Sequence, residues 1–130
     1  MIDAAIVSRL SSSSALVALV STRIYKSVLP EKCTLPAISF HYISALPRET
    51  PHDGPLKDRA KYVQISCWGR NPDEMESIAK LAADLFDGYK GTIGGHTIEL
   101  SSVENEVDVP GVENAQFLKA LTLLINYKET

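Results

Sequence analysis

The chain is poor in cysteine, with two in 130 residues, Cys33 and Cys67. Two are too few for a disulfide scaffold, and neither lies at metal-ligand spacing from a histidine. An excess of one charge is also missing. Thirteen Lys and Arg against sixteen Asp and Glu leave a net charge of −3, which gives no sign of a phosphate-binding surface or of nucleic-acid sequence recognition. Long apolar runs are absent. Ala15 to Val20 is far too short to cross a bilayer. Met1 to Leu10 carries Asp3 and Arg9 and lacks the apolar core of a signal peptide. The expectation is a protein made and folded in a cytoplasm, with no membrane partner. No internal repeat and no composition break appears, so residues 1–130 read as one domain.

What is present can build a core. The sequence is 45% hydrophobic, and a chain this long buries roughly two-thirds of its unfolded surface. The clearest stretch runs from Tyr62 to Gly88. Val63, Ile65 and Cys67 alternate with Gln64 and Ser66, the period of a strand with one buried face. Asn71 then offers a side-chain oxygen to orphan helix amides, and Pro72 occupies the first helical position. Glu74 is placed to reach back toward the cap. Met75, Ile78, Ala79, Ala82, Leu85 and Phe86 recur at helical spacing, and Gly88 supplies a left-handed exit. The expected helix is Pro72 to Asp87, packed onto a face bearing Val63, Ile65 and Ile98.

Ile2, Ala5, Ile6 and Leu10 share a helical face near the N-terminus. The serine run from Ser11 to Ser14 reads either as a flexible linker or as a cap at Ser13 or Ser14 for a short helix over Ala15 to Val20. The apolar segment that follows favours the cap. After Pro36, Ile38, Phe40 and Tyr42 alternate with Ser39 and His41 as a strand. Ile98 and Leu100 alternate with Thr97 and Glu99 as another, after a turn-rich connection through Gly88, Gly91, Gly94 and Gly95. Glu104 to Glu113, with its Pro110-Gly111 turn signal, reads as a solvated acidic loop or a surface complementary to a basic partner, rather than a cation site. Phe117 to Tyr127 fits a helix or a strand, and its β-branched and aromatic end favours the strand. The fold class expected is α+β, a mainly antiparallel sheet of about four strands with helices packed on one face.

Two surfaces stand out. Leu46 to Arg59 reads as a long exposed loop with Pro47, Pro51, Gly54 and Pro55. Its Arg48, Glu49, His52, Asp53, Lys57 and Arg59 are candidate partner contacts. Ile43, Trp68, Leu118 and Leu124 fall on strand faces that alternation assigns to solvent. Four such residues on three strands imply a second sheet face that is partly covered, by the N-terminal helix or by a neighbouring subunit.

No catalytic, cofactor or metal site emerges. His41, His52 and His96 have no metal-site spacing. His52-Asp53-Gly54 lies in a Pro/Gly-rich stretch without the rigid support a catalytic pair needs. The serine run has no nucleophile-elbow context. Gly91-Thr92-Ile93-Gly94-Gly95 lacks the lysine and following helix of a phosphate loop.

The segments Arg23-Ile24-Tyr25, Val28-Leu29-Pro30, Leu35-Pro36-Ala37-Ile38 and Val63-Gln64-Ile65-Ser66-Cys67-Trp68 follow in a telling order. With Leu85-Phe86-Asp87-Gly88 and the terminal Leu121 to Tyr127, the chain resembles the small tail-completion proteins of tailed bacteriophages and prophages. The resemblance implies a structural role as a tail terminator or head–tail joining protein, and it brings no catalytic motif. It implies assembly as a six-membered homo-oligomeric ring at the head-proximal end of the tail tube. The partners implied are further copies of the chain, the tail tube protein and a head-completion or connector protein. The place implied is the virion tail, after assembly in the host cytoplasm. A small non-viral adaptor domain, or a small enzyme acting through a loop histidine, are the alternatives left by the residues alone.

Overall fold

The structure, a computed structural model, describes residues 3–27, 34–47, 58–93, 96–109 and 117–128. Two short helices come first, α1 (Asp3–Ser11) and α2 (Ser14–Val20). The Ser13 hydroxyl caps α2 by accepting the Leu16 amide at 3.2 Å, so the serine run is a cap and not a linker. Strands β1 (Ile24–Lys26), β2 (Ala37–Pro47) and β3 (Asp58–Gly69) follow. Helix α3 (Pro72–Phe86) leads to β4 (Tyr89–Ile93), β5 (His96–Val109) and β6 (Phe117–Lys128).

Among the described residues the sheet has six strands, in the order β1-β2-β3-β6-β5-β4. All neighbours are antiparallel except β1 and β2, which run parallel. The class expected from sequence holds, but the strand count rises from four to six. The two strands without a sequence forecast are the short outer ones, β1 and β4. The supposed glycine connection contains β4. The supposed acidic loop is largely strand, since β5 continues to Val109. Both ends of the expected long loop are strand, because Leu46 and Pro47 end β2 while Asp58 and Arg59 begin β3.

Helix α3 starts as its sequence demands. Asn71 Oδ1 accepts the Glu74 amide at 2.8 Å, with Pro72 at the first position. Glu74 reaches one residue further back than a capping box requires. Its carboxylate accepts from the Arg70 amide at 2.9 Å and pairs with the Arg70 guanidinium at 2.8 Å. Gly88 leaves the helix at φ 76°. Gly69, just before the cap, is needed for space: a Cβ there would sit 2.6 Å from the Met75 amide nitrogen.

One side of the sheet carries the core. Met75, Ile78, Ala79, Ala82 and Phe86 of α3 are buried, as the helical spacing implied. They close over a face that bears Ile38, Phe40, Val63, Ile65, Cys67, Ile98, Leu121, Leu123 and Ile125. Ala5, Ile6, Leu10, Leu16 and Val20 join the same cluster, so all three helices lie on one face. Arg9 ties α1 to α3, donating from Nε to the Leu85 carbonyl at 2.8 Å while stacking on the Tyr89 ring at 3.8 Å. No single helix among the described residues is long and apolar enough to cross a membrane.

Candidate assembly surface

Strand register fixes what lies on the other side of the sheet. Residues opposite one another form rows, and alternate rows face away from the helices. One such row is Ala37, Trp68, Leu118 and Val109. The next is Ser39, Ser66, Ala120 and Val107, followed by His41, Gln64, Thr122 and Asn105. Ser44, Tyr62, Leu124 and Ser102 form the fourth row, and Leu46, Ala60, Asn126 and Leu100 the fifth. Among the described residues no helix covers this face.

The four apolar residues singled out from sequence are placed here by the register, at two ends. Trp68 and Leu118 are direct cross-strand neighbours, joined by Val109. Leu124 lies six residues further along β6, roughly 20 Å away at strand rise. Ile43 is the extra residue of a bulge between Tyr42 and Ser44 and is 51% exposed. Between the two ends lies a stripe of small and polar side chains. The Trp68 indole donates to Ser39 Oγ at 3.1 Å, and Ser39, Ser66 and Ala120 are buried beside it.

Val107, Val109 and Leu100 belong to the same face and were missed. They are 46%, 38% and 42% exposed. The signal for the valines was present: Val107 and Val109 alternate with Glu106 and Asp108. Leu100 was assigned to the buried face with Ile98, but a register shift between them turns it outward.

The helix side of β5 is acidic. Asp84 and Asp87 of α3's end line a shallow groove with Glu104 and Glu106. Lys119 is the local cation, bonded to Glu76 at 2.7 Å and 3.6 Å from Asp108. The bond to Glu76 holds the Lys119 pKa above its ordinary value. Toward the β1 side of the sheet the charge is mainly positive, with Arg23 just before β1, Lys26 on β1 and Lys61 on the inner strand β3. Lys26 bonds Asp3 at 2.7 Å, and Lys61 sits 4.2 Å over the Tyr42 ring. Burial pushes the Asp3 carboxyl up, but hydrogen bonds from Lys26 and Tyr42 outweigh it and hold the group below the usual carboxylate range.

Of the expected partner contacts, Arg48, Glu49, His52, Asp53 and Lys57 lie outside the described residues. Arg59 is placed only by its backbone, opposite Pro47 and Tyr127. Among the described residues no three His, Cys, Asp or Glu side chains converge as metal ligands. Cys67 is fully buried, and burial drives its thiol pKa up to about 12, far from a reactive thiolate.

A family model described as Tail completion protein gp17 matches residues 4–118. No curated protein matches the chain. Among solved structures, a chain of the "Virion of native gene transfer agent (GTA) particle" superposes with a TM-score of 0.71 at 16% identity. The match covers 95% of this chain and 91% of that one. At that identity the likeness is one of fold.

Proposed function

The chain belongs to the tail completion protein gp17 family, a family of phage tail structural proteins, and on that premise we propose that it completes the tail as a ring at its head-proximal end. The family match across residues 4–118 carries the reading. The role is structural, not catalytic. Copies contact one another head to tail, a heterologous arrangement that closes when the rotation between neighbours allows it. Six copies form the ring, with the tail tube protein on one side and a head connector on the other. The uncovered sheet face, with Ile43, Trp68, Leu118 and Leu124, and the strand edges beside it supply the contacts between copies. The connection from Arg48 to Lys57, continuing to Arg59, reaches the other tail components.

The experiment is genetic. Deleting the whole gene from the phage or prophage is expected to leave tails of irregular length or tails unjoined to heads. Normal tails joined efficiently to heads would refute tail completion. Deleting Thr50 to Leu56 alone is expected to impair joining, and unimpaired joining would remove that segment from the mechanism.

A further inference from the structure

Among the described residues, the outer flanks of the sheet are only half paired. β4 covers β5 from His96 to Ser101, and among the described residues no strand lies beside Ser102 to Val109. β1 covers β2 from Ile38 to Phe40, and among the described residues no strand lies beside β2 beyond it. The two open flanks sit at opposite ends of the sheet. Glu106, on the open part of β5, is level with Phe40 through Ile65 and Leu121. Pro47, on the open part of β2, is level with Ile98 through Arg59 and Tyr127.

Open edges invite pairing, and the side chains here restrict the partner. Glu104, Glu106 and Asp108 are all exposed on β5. Two copies of this edge placed together would oppose carboxylate to carboxylate, which is destabilising. The open end of β2 has the complementary sign nearby, with Lys61 on β3 opposite Ala45 and Lys26 on β1 opposite Phe40. β2 and β5 run in opposite directions within the sheet, because β3 and β6 lie between them in alternating sense. A second copy set beside the first with the same face outward therefore presents β2 antiparallel to β5.

We propose that the open edge of β5, Ser102 to Val109, pairs antiparallel with the open end of β2 in a second copy of this chain, joining the two sheets into one. This rests on the ring reading above and names its contact. For β4 to clear β2 of the neighbour, and β1 to clear β5, the neighbour must slide along the strands. The slide is four to six residues, about 13–20 Å. Because β5 meets the neighbour's β2 directly, each copy adds four strands, β2-β3-β6-β5, about 19 Å. The slide over that width tilts the strands by about 35–45°, within the range that closed barrels adopt. The half-covered edges thus set a stagger compatible with closure, and six copies would give a sheet ring about 50 Å across. Val107 and Val109 would then meet apolar or small residues of the neighbour on the uncovered face, and the acidic row would meet the basic end.

Inter-subunit disulfides test the pairing in the full-length chain. The background carries Cys33→Ser, with Cys67 buried and unreactive. Val107→Cys is combined in turn with Ser44→Cys and Leu46→Cys, which occupy the register positions of Tyr62 and Ala60. Adjacent antiparallel strands bring such pairs within disulfide reach. Oxidation across micromolar to millimolar protein is expected to give a ladder of covalent oligomers that stops at the ring. Val107→Cys alone, or paired with Val17→Cys on α2, is expected to give none beyond dimers. Native mass spectrometry of the unoxidised protein separates the remaining outcomes. Oligomers that form without a ladder would overturn the edge pairing and leave the ring standing. No oligomer at any concentration, with or without purified tail tube, would overturn both. A second variant reads the charge. Glu104→Gln, Glu106→Gln and Asp108→Asn together are expected to weaken oligomerisation at least tenfold with an unchanged far-UV spectrum, and unchanged assembly would count against the proposal.

Discussion

Trp68 donates its indole N–H to Ser39 Oγ at 3.1 Å, reaching diagonally across β3 and β2 on the face that the helices leave uncovered. It is the one tryptophan in the chain, so its emission reports this face directly. If copies cover the face on assembly, emission shifts to the blue and acrylamide quenching falls as protein concentration rises. A spectrum independent of concentration, measured alongside oligomers seen by light scattering, would show that assembly leaves the Trp68 region bare.

Core position ranks Ile78 and Leu85, two of the large aliphatic side chains of α3. Ile78 is fully buried against the sheet, while Leu85 is only half-buried. Ile78→Ala is expected to cost roughly 2–5 kcal/mol, and Leu85→Ala less than about 2 kcal/mol. Urea unfolding of both variants gives the comparison. Equal losses would mean that the helix is rotated from its described setting.

The cap of α3 is worth a separate measurement. Asn71→Ala removes the acceptor for the Glu74 amide and is expected to cost about 1 kcal/mol. Asn71→Asp keeps the acceptor and adds charge at the positive helix end, so it should hold or raise stability. The Arg70–Glu74 pair, with its guanidinium in solvent, adds little to this.

Acid sensitivity follows from Asp3 and Glu74. Bonding from Arg70 lowers the Glu74 pKa, and bonding from Lys26 and Tyr42 leaves that of Asp3 lowered despite burial. A carboxyl with a lower pKa in the folded state contributes stability above its unfolded value. That contribution is lost as pH falls through the folded value. Thermal midpoints should therefore drop as pH is lowered from about 5 toward 3. Asp3→Asn and Glu74→Gln should each flatten that slope. Lys119, whose pKa is raised, acts in the opposite window. Its contribution holds below the ordinary lysine value and is lost as pH climbs past it.

Cys67 provides a probe of global opening. In a Cys33→Ser background a thiol reagent should react only on unfolding, because the group is fully buried with its pKa pushed up to about 12. Reaction at native pH on the timescale of a free thiol would place β3 at an edge and not in the middle of the sheet.

Much of the fold was legible where one residue pattern dominated. The Asn71-Pro72 start, the apolar spacing through Phe86 and the Gly88 exit defined α3 almost to the residue. Alternation through Val63, Ile65 and Cys67 defined the inner face of β3. What escaped did so for physical reasons. β1 has three residues, too few to show a period. The second half of β5 reads as a loop because Glu and Asp are depleted in strands, although at an edge they deter unwanted pairing. Leu100 was assigned to the wrong face because alternation carries no mark of a bulge. The residues of the uncovered face were half legible. Trp68 and Leu118 announced themselves by size on a polar face, whereas Val107 and Val109 were hidden by the loop reading.

The sheet's irregularities are distributed unevenly. Every residue of β3 from Asp58 to Gly69 meets its β6 partner without a shift. The bulges occur in the pairings of β2, β4 and β5. Extra residues loosen and twist a ladder locally, so the molecule has a stiff spine flanked by compliant margins. Amide hydrogens of β3 and β6 should accordingly exchange last and together, and those of the outer strands earlier. A subunit made this way can adjust the margins that meet other proteins while the spine keeps its register.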